Sequence, residues 1–143
     1  MVHALTEAHR VVRQSGIVVD YRPDLDPGGR RAKPLELYCV YDGESIPAGH
    51  MIETPEYYGD YLSSNRAVQQ VLRRELYTLV SSELVRPRVY FRSLDILKDY
   101  LAKQWTGTTL SREVERRLAS LLRQHSGAIM VSELFRVNVL RKV

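Results

Sequence analysis

NRAVQQVLRRELYTLVSSELVRPRVYFRSLD, residues 65–95, is the stretch on which the reading of this chain turns. In its first part Val68, Val71, Leu72, Leu76, Leu79, Val80 and Leu84 recur at helical spacing, an apolar stripe about five turns long. Arg66, Gln70, Arg73 and Tyr77 fall on the opposite side. The stripe predicts one long amphipathic helix over residues 65–84. Arg86-Pro87 ends it, because proline disfavours helical geometry in the residue before it.

The period then changes. In RPRVYFRSLD (86–95), Val89 and Phe91 alternate with Arg88, Tyr90 and Arg92, the two-residue repeat of a strand. Val89 and Phe91 are expected inward and the arginine–tyrosine side outward. Ser93 is placed to cap a helix whose first turn carries Asp95 and whose inner side holds Leu94, Leu97 and Leu101. TGTT (106–109) breaks the chain. A further helix follows with Leu110, Val114, Leu118, Leu121 and Leu122 inward, Glu113 facing Arg117 at i,i+4, and Gly127 as its stop.

Upstream, Val2, Leu5, Ala8 and Val12 predict a first helix stopped by Ser15-Gly16. GIVVDYR (16–22) reads as a strand with Ile17, Val19 and Tyr21 on one side, and PDLDPGGRRAKP (23–34) reads as a loop by its turn residues. LELYCVY (35–41) is a strand, DGES a turn, and IPAGHMIE (46–53) an edge strand, since Pro47 and Gly49 weaken it. In TPEYYGDYLSS (54–64), Gly59 limits the expectation to a short helix or turn. The end, ELFRVNVLRKV (133–143), alternates again: Phe135, Val137, Val139 and Val143 on one side, Arg136, Asn138 and Lys142 on the other. The expected architecture is α+β: one compact domain over residues 1–143, with a small mixed sheet packed by several amphipathic helices.

RRLASLLRQHSGAIMVSELFRVN (116–138) resembles the opening of a helix-turn-helix, as in many bacterial repressors. That resemblance implies a recognition helix in the major groove. Only VLRKV follows Asn138, too short for such a helix, and the alternation favours a strand. No family is assigned.

Composition narrows the function classes. A chain of 143 residues can fold without a disulfide or metal staple. The lone Cys39 excludes an internal disulfide and any CxxC metal motif. No apolar run reaches the ~20 residues of a membrane span, and the N-terminus lacks a signal-peptide core, so cytoplasmic residence is the expectation. The net charge of +4 is uneven along the chain. Residues 1–63 carry 6 Arg and Lys against 10 Asp and Glu, and residues 64–143 carry 15 against 7. Such asymmetry steers charged partners and says nothing about fold.

No GxGxxG, P-loop, GxSxG or HExxH occurs. No catalytic residue, cofactor or metal site is therefore predicted, and the chain reads as a non-enzyme. His50 and Glu53 could share a metal only on a helix, which Pro47 and Gly49 oppose. The expected function is that of a regulator or assembly factor. It would bind nucleic acid, or a nucleic-acid machine such as a transcription or replication complex, through Arg88, Tyr90, Arg92, Arg136, Asn138 and Lys142. Arg66, Arg73, Arg74 and Tyr77 of the long helix would extend that basic patch. Glu56, Tyr57, Tyr58 and Tyr61 make a second, acidic and tyrosine-rich interface candidate. The alternatives are a protein–protein adaptor or inhibitor without nucleic acid and a small metal-dependent hydrolase or nuclease. The latter would gather Asp42, Glu44, His50 and Glu53. The partner is macromolecular, with neither a membrane nor a small-molecule substrate implied.

Overall fold

Residues 1–24 and 35–143 are described by the computed structural model, Tyr57 and Tyr58 through their backbone alone. Most of the loop expected at 23–34 lies outside the described residues. The described chain runs α1 (Val2–Val11), β1 (Ile17–Pro23), β2 (Glu36–Tyr41), β3 (Glu44–His50), β4 (Ile52–Glu53), α2 (Pro55–Arg73) and β5 (Tyr77–Val85). It continues through β6 (Arg88–Phe91), α3 (Leu94–Gln104), β7 (Thr108–Thr109), α4 (Arg112–Gln124), β8 (Ala128–Ser132) and β9 (Phe135–Lys142). This is the expected α+β class. Its described strands pair antiparallel in three sheets, β1-β9-β5, β3-β2-β8-β6 and β4-β7, rather than in one mixed sheet.

The chain divides into two compact units. The first comprises Met1–Ala32, Tyr58–Val85 and Leu134–Val143; the second comprises Lys33–Tyr57 and Arg86–Glu133. This division redistributes the charge. The first unit holds 11 Arg and Lys against 7 Asp and Glu, and the second holds 10 against 10. The acidic and basic halves of the sequence are therefore not the halves of the fold.

In the first unit β9 is the central strand, and Leu5, Val68, Val71, Tyr77 and Leu140 form the core between the sheet and the helices α1 and α2. The helix expected over 65–84 does not form as one element. Helix α2 stops at Arg73, and residues 77–85 are a strand. The stop is a Schellman arrangement: the amide of Glu75 donates to the Leu72 carbonyl and that of Leu76 to the Val71 carbonyl, with Glu75 at φ 57. A non-glycine residue takes the left-handed position, so the sequence carries no glycine to mark the end. The apparent helical spacing of Leu76, Leu79, Val80 and Leu84 comes from a strand with a bulge between Leu79 and Ser81. Gly59, expected to interrupt, lies inside α2, where an added Cβ would meet nothing.

A second correction concerns faces. Asp20, Arg22, Asn138 and Leu140 are the buried positions of β1 and β9. The side of β9 read as inward (Phe135, Val137, Val139) therefore points away from the helices, and Val143 is exposed.

In the second unit, Leu37, Ile129, Val131, Phe91, Leu97, Leu101 and Leu118 are core. The β2–β3 hairpin turns on Asp42-Gly43, both at positive φ (48 and 82), the type I′ geometry that a two-residue Asp-Gly loop favours. Ser93 and Ser111 cap α3 and α4 by accepting from the amides of Ile96 and Val114. Val89 shares the side of Phe91, as its pairing with Val131 shows, yet stays 39% exposed on the edge strand, against expectation. Residues 128–132 form β8, a buried inner strand that the sequence reading left without an element, and this removes the helix-turn-helix.

Gly127, expected as the stop of α4, is not its end: the helix stops at Gln124 with His125 extended, and Gly127 instead leads into β8 at negative φ. A Cβ there would overlap the Val40 carbonyl oxygen and crowd Tyr41 Cβ at 3.2 Å. Gly127→Ala is expected to cost about 1–3 kcal/mol, seen as a lower urea midpoint at unchanged slope.

Candidate functional site

The outward side of β6 is the part of the expected basic patch that the fold presents freely. Among the described residues its strand is the edge of β3-β2-β8-β6, paired to β8 alone. Arg88 and Arg92 are exposed, and Tyr90 keeps 54% of its surface. Among the described residues neither guanidinium is in an ion pair, whereas their neighbour Arg86 reaches Glu36 at 3.7 Å. Phe91 anchors the strand from below, tilted against Tyr100 with ring centroids 5.3 Å apart. Alternate side chains of a strand repeat at roughly 6.6 Å, so Arg88 and Tyr90 share one side of β6, and Arg92 follows in the bend between β6 and α3.

The remaining patch candidates lie in the first unit and divide into two groups. Arg66, Arg73 and Arg74 are exposed on and just after α2. Arg66 and Arg73 are seven residues apart, which puts them on one helix side about 10 Å from each other. The others turn inward, against expectation. Tyr77 is buried, and its hydroxyl donates to the Leu5 carbonyl at 2.9 Å. Lys142 donates to the carbonyls of His9 and Val12 at 2.6 and 2.9 Å, closing the C-terminus of α1 where a cation is favourable.

Arg136 and Asn138 belong to a buried polar chain. Asn138 donates to Asp20 at 2.7 Å; Arg22 donates to Asp20 at 3.0 Å and to Asn65 at 2.7 Å. Asn65 donates in turn to Asp24 at 2.9 Å, and Arg136 to Asp24 at 2.6 Å and Ser82 at 3.0 Å. Two cations meet two carboxylates, so the chain is neutral. Burial pulls the Arg22 guanidinium below its ordinary range, Asp20 and Asp24 oppose that, and Arg136 adds to it. Among the described residues Arg22 Nε has no partner. An open cleft of about 260 Å³ lies alongside, lined by Arg22, Asn65, Gln69, Arg136 and Asn138 with apolar Leu72 and Leu79.

The secondary candidates do not assemble as expected. Tyr61 is buried rather than presented, Glu56 is exposed in the first turn of α2, and the side chains of Tyr57 and Tyr58 lie outside the described residues. Asp42 and Glu44 sit at the β2–β3 turn, while His50 ends β3, six residues and about 20 Å further along the strand. Among the described residues no group of three or more His, Cys, Asp or Glu is placed to hold a metal. Cys39 is buried, which pushes its thiol up. No described helix is long and apolar enough to cross a membrane.

What the fold and this geometry define is an α+β protein with a free arginine–tyrosine edge strand and a buried ionic chain. No family model, no curated protein and no solved structure matches it.

Proposed function

We propose that this protein is a non-enzymatic regulator or assembly factor that docks on nucleic acid, or on a machine handling it, through Arg88, Tyr90 and Arg92. The observation that supports this is the exposure of all three, Arg88 and Tyr90 on the edge strand and Arg92 in the bend just after it, with neither arginine neutralised among the described residues. Arginine forks match phosphate oxygens, and an exposed tyrosine ring offers a stacking platform to any base. Arg66, Arg73 and Arg74 supply a further phosphate-binding stripe on the first unit. The setting is the cytoplasm, where the thiol of Cys39 stays reduced.

The test is anisotropy of a labelled single-stranded oligonucleotide across a salt series. Binding should weaken with salt, by a logarithmic slope of about 0.7 per phosphate neutralised. Arg88→Glu with Arg92→Glu should weaken binding at least about tenfold and lower that slope by about 1.4, while circular dichroism stays native. Unchanged affinity in the double variant would remove β6 from the reading.

The free edge of β6 also favours a second reading. An extended acidic peptide could add as a further strand, its carboxylates meeting Arg88 and Arg92. A complex that forms in nuclease-treated extract and dissolves with the same double variant would select this adaptor reading over the first.

A further inference from the structure

The three-stranded sheet in the first unit departs from the usual rule for antiparallel sheets, which cover the apolar face and solvate the polar one: its covered face mixes Leu140 and Tyr77 with ionic groups, and its open face is largely apolar. Asp20, Arg22 and Asn138 face the helices, while Ile17, Val19, Tyr21, Phe135, Val137 and Val139 face outward. Val19 is 60% exposed and Tyr21 53%, and Tyr21 stacks on Phe135 with centroids 4.6 Å apart. These side chains are contiguous, since Val19 pairs with Val139, Tyr21 with Val137, and Pro23 with Phe135. A contiguous apolar patch on a sheet is an interaction surface.

Charge flanking the Val19–Val139 row identifies the occupant. Arg141 lies beside Ile17 and Thr78 at one end, and Glu83 lies beside Val137 toward the other. Both are exposed, and neither is ion-paired among the described residues. Four residues of β9 separate their positions, about 13 Å. A positive position and a negative one therefore flank the Val19–Val139 row, and the Tyr21–Phe135 stack continues the apolar face beyond Glu83. A two-fold axis lying in the contact plane and crossing the strands at that row sets Arg141 of each copy over the Glu83 row of the other, twice, with Val19 and Val139 over their own counterparts.

We infer that this sheet face is a homodimer contact whose occupant is a second copy of this chain, packed face to face at about 10 Å. It uses none of the residues of the proposed nucleic-acid surface, so the two stand or fall separately.

Light scattering on the full chain should give twice the 16.5 kDa chain mass at micromolar concentration. Val139→Asp buries an unpaired carboxylate in the contact and should weaken association by about a hundredfold or more while the monomer stays folded. Should that variant fail to fold, the surface charges decide the matter. Arg141→Glu and Glu83→Arg should each weaken association by about tenfold, and the two together should restore it. A wild-type monomer overturns the inference, and so does a double swap no tighter than the single ones.

Discussion

Asp20→Ala is expected to destabilise the protein by about 3–5 kcal/mol, out of a total that for a native protein is about 5–15 kcal/mol. The carboxylate accepts from both Arg22 and Asn138, and the Arg22–Asp20 side chains are 9% and 6% exposed. Removing it leaves a guanidinium facing the helices that, among the described residues, lacks a partner at Nε and has Asp24 to offset its charge. Asp20→Asn keeps an acceptor oxygen and loses the charge, so its cost should fall between wild type and alanine. Removing the polar groups together gives the opposite sign. With Asp20→Leu, Arg22→Met and Asn138→Leu combined, no charge is left unpaired in that pair, and stability should stay near wild type or rise. Urea unfolding of the three proteins checks this. A cost below about 1 kcal/mol for Asp20→Ala would mean that the pair is solvated in solution.

If the combined replacement is tolerated, the ionic chain is retained for something other than stability. The cleft beside it, which exposes Gln69 together with parts of Arg22, Arg136 and Asn138, is then where that use should be sought. The same comparison explains why this site escaped the sequence. Alternation in GIVVDYR and in FRVNVLRK separates two faces correctly, and the pairing of Val19 with Val139 and Asp20 with Asn138 bears that out. Periodicity cannot say which face the helices will cover. Assigning the apolar side inward is the sensible default, and here tertiary packing reverses it. The β2–β3 hairpin, the Ser93 cap and the inner leucines of α3 were legible because each depends on local chemistry: an Asp-Gly turn, a hydroxyl before a helix, a 3.6-residue stripe. The end of α2 was not legible, because Glu75 occupies a backbone position where glycine is the usual sign. Strand β8 was not legible either, since a short continuous apolar run reads equally as buried helix or buried strand. Of the basic patch, the part on β6 could be read from alternation alone. The part on β9 could not, because its arginine and asparagine are spent on carboxylates distant in sequence, Asp24 and Asp20.

Adjacent residues of β6 should separate stability from binding. Phe91 is 5% exposed, sits among Leu97, Leu101 and Ile129, and leans on Tyr100, which in turn meets Trp105 edge-on at 5.1 Å. Phe91→Ala removes a buried ring and leaves a cavity that the paired β8 backbone prevents from closing, a cost of about 3–5 kcal/mol. Melting should drop by roughly 10 °C or more. Tyr90 is the reverse case. Its ring faces outward, so Tyr90→Ala should change stability by no more than about 0.5 kcal/mol. It removes a stacking surface worth about 1–3 kcal/mol per base, hence roughly a five- to hundredfold loss of oligonucleotide affinity. Tyr90→Phe keeps the ring and should bind nearly as the wild type does, which separates stacking from hydroxyl chemistry. Were Tyr90→Ala to melt early, its ring would be structural. Were it to bind normally, β6 would act through charge alone, and the adaptor reading, in which carboxylates meet Arg88 and Arg92, would gain at the expense of base stacking.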